Sequence, residues 1–195
     1  MRKLIALVAA AVWLAAWPAA AQEGEGGEVE TPDPTEYSDS GFGMDISAYG
    51  IVNFGWHVSV GAGAQFAYPV VPNGFIPSPR FRDALHIEGG LDFGYYFWTG
   101  AGYDYHVGFL NPMAGVRYAV YVLESLAPFA TLKLGAAIPT VSGGSGYDPS
   151  VYFYMVGTVG VLWDLTDFMA LRAEVGYQYV GHSSDVWKIG LLFRL

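Results

Sequence analysis

The side chains of this sequence that could support chemistry are few and widely spaced. No pair of histidines has the H-E-x-x-H spacing, and cysteine is absent, so the ligands that usually bind zinc do not occur together. Glycine-rich pieces near 61–63, 89–90 and 100–102 do not join a strand to a helix, as a phosphate-binding loop requires. We therefore expect no metal site and no cofactor. The four histidines are His57, His86, His106 and His182.

The composition is poor in charge and rich in apolar residues and glycine. Of the 195 residues, 53% are hydrophobic and 14% are charged, whereas a soluble domain usually has about 25% charged residues. The formal net charge of −9 excludes a basic nucleic-acid-binding protein, and the apolar content excludes disorder of the whole chain. The length fits one domain with appendages.

Residues 1–21 have the parts of a secretory signal peptide. Two basic residues follow the first methionine, and an apolar stretch over 4–17 leads to three alanines that end just before Gln22. The apolar stretch is shorter than the roughly 20 residues of a membrane-spanning helix. We expect cleavage before Gln22 and export from the cytoplasm.

Residues 22–40 are acidic and poor in apolar side chains. They contain seven carboxylates and no basic residue, and glycine, proline, threonine and serine fill most of the remaining positions. Such a segment cannot bury enough apolar surface to fold, so we expect a disordered acidic linker. The folded domain is expected over 41–195.

In the folded domain, apolar and polar side chains alternate, as they do in strands, where successive side chains point to opposite faces. The apolar faces carry no charge, and the opposite faces are rich in glycine. A narrow barrel interior requires small residues, whereas a solvent-exposed face does not. The pattern favours an all-β, antiparallel transmembrane β-barrel, with its apolar face toward lipid. Strands are predicted at 56–68, 84–98, 113–123, 129–138, 150–163, 169–179 and 186–195.

Single-chain bacterial barrels have even strand numbers, so we expect eight strands and look for one more. The segment 43–53 alternates weakly, whereas 103–110 alternates clearly but can also extend the strand that follows it. We favour 43–53 and leave the strand order open. With 43–53 as the first strand, the long connection 69–83 lies on the same side as the C-terminus, which we take as periplasmic. With 103–110 instead, that connection would lie outside the cell.

The polar faces of the predicted strands collect most basic residues of the barrel. His57 and His86 also fall there, and we expect them to fill interior space with their side chains hydrogen-bonded, without a catalytic or metal-binding role. An unpaired charge in a narrow interior is strongly disfavoured, so we expect a salt-bridged interior centred on Arg117 and Arg172, because guanidinium groups pair well with carboxylates. The alternative is a hydrated lumen that screens each pair. The predicted lumen charge cluster is Glu88, Asp92, Arg117, Lys133, Arg172, Glu174, Lys188 and Arg194.

The end of the chain has the pattern polar, x, Gly, x, x, hydrophobic, x, hydrophobic, in Lys188, Gly190, Phe193 and Leu195. This pattern resembles the signal that the outer-membrane barrel assembly machinery reads, although Leu195 stands where Phe is usual. With the signal peptide and the alternation, residues 41–195 resemble the small eight-stranded outer-membrane barrel proteins of the OmpA and OmpX kind. The resemblance implies a Gram-negative outer membrane, with its lipid, lipopolysaccharide and the assembly machinery as partners. We expect a monomer that binds no nucleic acid.

Residues 182–185, His-Ser-Ser-Asp, resemble the active-site pattern of outer-membrane lipid A deacylases, in which a histidine is the base and a serine the nucleophile. Asp185 stands where that family has Asn, and no acidic residue follows to orient the histidine. We therefore expect a non-enzymatic outer-membrane barrel with a structural or surface-interaction role. A deacylase-like enzyme and a narrow small-solute pore are the alternatives.

Overall fold

The computed structural model describes most of the predicted folded domain. The predicted signal peptide (1–21) and acidic linker (22–40) lie outside the described residues, as do His57 and His182. Within the part of the chain that is described, no helix is long and apolar enough to cross a membrane. The described ranges are 43–54, 58–72, 74–76, 82–100, 103–123, 125–143, 150–181 and 183–195.

Eight antiparallel strands close into a barrel, in which each strand pairs with its neighbours in sequence and β1 pairs with β8. The prediction of an all-β, antiparallel, eight-stranded barrel is confirmed. Closure satisfies the backbone amide and carbonyl groups of both edge strands, which is what a barrel in lipid requires. The strands are β1 Asp45–Phe54, β2 Val58–Val71, β3 Arg82–Gly100, β4 Tyr103–Tyr121, β5 Leu126–Gly143, β6 Tyr152–Thr166, β7 Met169–Val180 and β8 Ser183–Arg194.

The segment 43–53 supplies the first strand, as favoured from the sequence, and 103–110 forms the first part of β4. Pro112 lies within β4, which stays paired with β3 at this position. On the other side, the nearest residues of β4 that pair with β5 are Leu110 and Met113, and the two between them are left out. Proline has no N–H to donate to a ladder, so the pairing with β5 omits it and the strand continues.

The two ends of the barrel hold different connections. The end at which β1 begins and β8 ends, called here the termini end, also holds the β2–β3, β4–β5 and β6–β7 connections. The other four connections lie at the opposite, distal end. Because β2 continues to Val71 and β3 begins at Arg82, the long connection is shorter than the predicted 69–83 and comprises 72–81. It joins the two strands at the termini end. This is the placement expected with 43–53 as the first strand.

Side chains alternate between the interior and the exterior along every strand. Large apolar side chains about half exposed cover the exterior, and this surface is called here the apolar belt. An exposed apolar surface of this extent is disfavoured in water and is the surface that lipid covers in a membrane barrel. Its members include Ile46, Val60, Phe66, Ile87, Leu91, Val116, Leu134, Met155, Ile189 and Leu191.

Two clusters of buried apolar side chains, called here apolar layers, lie inside the barrel, one toward each end. The distal layer consists of Tyr49, Ile51, Tyr96, Val107, Phe109, Met113, Ala137, Tyr154, Val156, Val180 and Val186. The layer at the termini end consists of Ala119, Ala127, Phe129, Leu162, Ala170 and Leu192. Charged side chains fill the space between these layers.

Candidate functional site

The charged interior is built from six strands, and its side chains point inward because positions two apart on a strand share a face. Glu88 and Asp92 on β3 share one face in this way, as do Arg172 and Glu174 on β7. Among the described residues it combines four carboxylates with four cations, so its formal charge is zero. The eight residues are Asp45, Glu88, Asp92, Glu174, Arg117, Lys133, Arg172 and Lys188.

Glu88 is the centre of this network. Arg172 donates from Nη1 to Glu88 Oε1 at 2.9 Å, and Lys133 Nζ lies 2.9 Å from Oε2. Arg117 Nη1 lies 3.5 Å from Oε1, and Gln65 donates from Nε2 to the same oxygen at 3.3 Å. A single carboxylate on β3 therefore contacts strands β2, β4, β5 and β7.

Asp92, four residues further along β3, contacts the remaining strands. Lys188 of β8 donates to Asp92 Oδ2 at 2.7 Å, and Tyr49 of β1 donates to Oδ1 at 2.6 Å. Tyr154 of β6 donates to Oδ2 at 3.2 Å. Together, the two carboxylates of β3 are linked to all seven other strands, including the β1–β8 pair that closes the barrel.

The other charges of the interior are paired beside this centre. Arg117 donates to Asp45, which brings β1 and β4 together across the interior. Arg172 donates from Nε to Glu174 at 2.6 Å, and Thr158 donates to the second oxygen of Glu174 at 2.5 Å. Charge-assisted bonds of this kind are the strong ones, and each buried charge here has an opposite charge within reach.

The charged interior is almost inaccessible to water. Glu88 and Arg117 are 0% exposed, and Lys133 and Arg172 are 1% exposed. The guanidinium of Arg172 also lies 4.8 Å from the ring centroid of Phe129, a member of the apolar layer at the termini end. The interior is therefore packed with side chains, as an eight-stranded barrel permits.

The structure brings together seven of the eight residues in the predicted lumen charge cluster. Arg194 lies apart, at the last position of β8, where it donates to Asp164 at 2.6 Å and remains partly exposed. His86 lies inside, but its Nδ1 has no hydrogen-bond partner among the described residues, so that atom does not act as hydrogen-bonding filler.

Sequence reasoning missed Asp45, Tyr49 and Tyr154 as members of the interior network. A signal for a missing acid was present, because the predicted cluster counted three carboxylates against five cations. Asp45 and Asp164 are the two carboxylates that bring this set to balance. The tyrosines carried no such signal, because a tyrosine has no formal charge that must be balanced; Tyr49 falls on the same face as Asp45 and Ser47.

The residues of the predicted assembly signal lie on both faces of β8 and just beyond its end. Lys188 points inward to Asp92, whereas Leu195 is 69% exposed just beyond the strand. A Cβ at Gly190 would lie 2.0 Å from the carbonyl oxygen of Ala48 in β1, so a larger residue does not fit where the barrel closes. Gly190, one position of the predicted signal, therefore also lies at the β1–β8 closure.

Of the His-Ser-Ser-Asp segment, residues 183–185 are described. The side chain of Ser184 points into the barrel and is buried, whereas Ser183 and Asp185 are exposed. A hydroxyl on the inner side of the wall is separated by the barrel itself from a lipid acyl chain outside. Among the described residues, no group of three or more His, Asp or Glu side chains is arranged to hold a metal ion.

Comparisons with known proteins bear on the fold. No protein-family model and no curated protein matches the sequence. The outer membrane protein OprG from Pseudomonas aeruginosa is similar in structure, with 11% identity, a TM-score of 0.55, and coverage of 79% of this chain and 96% of that chain. Ail of Yersinia pestis has 12% identity and a TM-score of 0.48, and covers 78% of this chain and 97% of its own. The chain thus has the fold of the small eight-stranded outer-membrane β-barrels.

Proposed function

We propose that this protein is an outer-membrane β-barrel of the Gram-negative envelope with a structural or surface-interaction role, and that it is neither a pore nor an enzyme. The observation that carries the proposal is the neutral, buried network that fills the barrel between two apolar layers. The apolar belt supports a location in a lipid bilayer. The proposal includes export by the segment 1–21, assembly through the C-terminal pattern, a lipopolysaccharide-containing surrounding membrane, and a monomeric state.

The packed interior opposes conduction. A continuous water path past Glu88 would require its ion pairs with Arg172 and Lys133 to separate and the side chains packed around them to move apart. The side chains of Glu88, Arg172 and Lys133 are almost fully buried, so the described interior leaves no room for such a path.

The proposal predicts that the purified protein does not conduct ions. In planar bilayers with potassium chloride on both sides, the wild-type barrel should give no stepwise current, because the charged interior leaves no continuous water path. An open porin inserted from the same detergent serves as the positive control. Reproducible unit conductance steps that scale with the amount of this protein would overturn the proposal in favour of the pore.

The proposal also predicts that the protein does not modify lipid A. Cells that express wild-type protein or His182→Ala should yield lipid A of the same masses in mass spectrometry, because no acidic residue follows Asp185 in the sequence to orient that histidine and Ser184 faces the barrel interior. The outer-membrane fraction of these cells should contain the protein with Gln22 as its first residue. Loss of an acyl chain that requires His182 would show a deacylase instead.

A further inference from the structure

Asp83 is a buried carboxylate on the outer wall of the barrel. It lies on the outward face of β3, two positions before Leu85 and four before Ile87 of the apolar belt. Its partner in β4 is Val120, which is also on the outward face. Asp83 is nevertheless 0% exposed. A segment of the chain must therefore lie over it from outside.

The covering segment is the start of the β2–β3 connection, and Asp83 holds it by two backbone hydrogen bonds. The backbone N–H of Phe75 donates to Asp83 Oδ2 at 2.8 Å, and that of Ile76 donates to Oδ1 at 3.2 Å. The hydroxyl of Tyr118, on the neighbouring strand β4, donates to Oδ2 at 2.7 Å. The carboxylate is thus satisfied without solvent, and the connection is fastened to the outside of the barrel wall.

Gly74 makes this close approach possible. Its φ of +65° lies in the left-handed region, which residues with a Cβ rarely adopt. A Cβ at this position would also lie 2.1 Å from the carboxyl carbon of Asp83. The contact therefore depends on a glycine before Phe75 and on a carboxylate at position 83.

The outer surface of the fastened segment is apolar. Phe75 is 63% exposed and Ile76 is 45% exposed, and the ring of Phe75 packs against that of Tyr118 with centroids 6.4 Å apart. Tyr68 and Val70, at the end of β2 that leads into the segment, are 61% and 41% exposed. Exposed apolar side chains thus lie both at the end of β2 on the barrel wall and on the described part of the connection.

We propose that the β2–β3 connection is a membrane-interface anchor, which Asp83 holds against the barrel wall so that Phe75 and Ile76 enter the lipid leaflet at the termini end. This inference rests on the proposed function, because it requires that the apolar belt faces lipid. Asp83 satisfies the backbone N–H groups that the segment would otherwise bring unpaired to the edge of the hydrocarbon. Apolar and aromatic side chains at this depth are typical of interfacial anchors.

Because the chain has no cysteine, a nitroxide label on Ile76→Cys reports on this position alone. In phosphatidylethanolamine–phosphatidylglycerol vesicles, collisions with oxygen mark lipid and collisions with a water-soluble nickel chelate mark water. We expect the label at 76 to collide more often with oxygen than with the nickel chelate, as a label on Leu134→Cys in the apolar belt should. A label on Asp167→Cys, exposed in the β6–β7 turn at the same end, should favour nickel. Adding Asp83→Ala should shift the label at 76 toward the behaviour of the label at 167.

The outcomes separate this inference from the proposed function. If the label at 134 favours oxygen but that at 76 favours nickel, the anchor is wrong and the membrane barrel stands. If the label at 134 also favours nickel, both are wrong. Protection of position 76 from both reagents would mean that protein covers it, and loss of that protection on lipid dilution would identify a second copy. If Asp83→Ala prevents folding, Tyr118→Phe is the second variant, because it removes only one hydrogen bond to Asp83. It should shift the label at 76 toward collisions with nickel, by less than Asp83→Ala would. If the label at 76 does not shift, Asp83 does not hold the segment.

Discussion

Replacing Glu88 with alanine should lower the free energy of unfolding by about 3–5 kcal/mol, because the substitution leaves buried cations without their shared carboxylate. Arg172 and Lys133 both lie 2.9 Å from Glu88. After the substitution the charged interior would hold three carboxylates and four cations. Urea unfolding of the barrel in liposomes, followed by tryptophan fluorescence, measures the change.

A double substitution distinguishes a buried network from a hydrated lumen. Glu88→Ala combined with Lys133→Ala removes an acid and a base together, so it should recover part of the stability that Glu88→Ala loses. Asp167→Ala, at an exposed carboxylate in the β6–β7 turn, serves as the control and should stay within about 0.5 kcal/mol of wild type. If the single and double substitutions of the interior also stay within about 0.5 kcal/mol, the pairs are screened by water, and conduction becomes the better hypothesis.

Alternation along the chain was enough to predict the strands and the direction of their side chains, because a period of two is a property of the extended backbone itself. It was weakest in β1, and the structure shows the reason. Tyr49 and Ile51 point inward in the distal apolar layer, so in β1 the interior face is partly apolar and the contrast between faces is small. The even strand number required one more strand, and 43–53 was favoured over 103–110 because 103–110 could also extend the strand that follows it.

The strand ends were predicted less well than the strand centres. β4 and β5 extend to Tyr103 and Gly143, well beyond the predicted segments, although polar and glycine residues occur there. Backbone pairing between two neighbouring strands requires no apolar side chain, so the ladder continues where the apolar pattern stops. Whether 103–110 was a separate strand or part of the next one was ambiguous for a related reason, since a proline such as Pro112 can lie within a strand wherever one neighbour is omitted from the pairing.

The partners inside the barrel could not be read from the sequence. The inward direction of Glu88 and Arg172 follows from the alternation, but their contact joins residues 84 positions apart. Lys188 and Asp92 are separated by 96 positions. Which inward side chains meet depends on the stagger of the strands around the closed barrel, and that stagger is a property of all eight pairings together.

Leu134→Arg should destabilise the barrel by about 2–4 kcal/mol in liposomes, because with the proposed membrane location it places a charge on the surface that faces lipid, near the middle of the membrane. Leu134 is 49% exposed and follows Lys133, which points inward between the two apolar layers. Its depth is therefore close to that of the charged interior. A charged side chain at this depth can reach water only by extending along the wall or by thinning the bilayer.

Leu165 is the matched control, because it is also an outward-facing leucine that is 49% exposed. It lies at the penultimate position of β6, at the termini end, where a charge can reach the headgroups. Leu165→Arg should therefore cost only about 0–1 kcal/mol. In water, two equally exposed positions should respond alike, so the difference between these variants measures depth in lipid and not exposure. Equal, small losses of stability for Leu134→Arg and Leu165→Arg would mean that the apolar belt does not face a bilayer, and the proposed membrane location would fail with it.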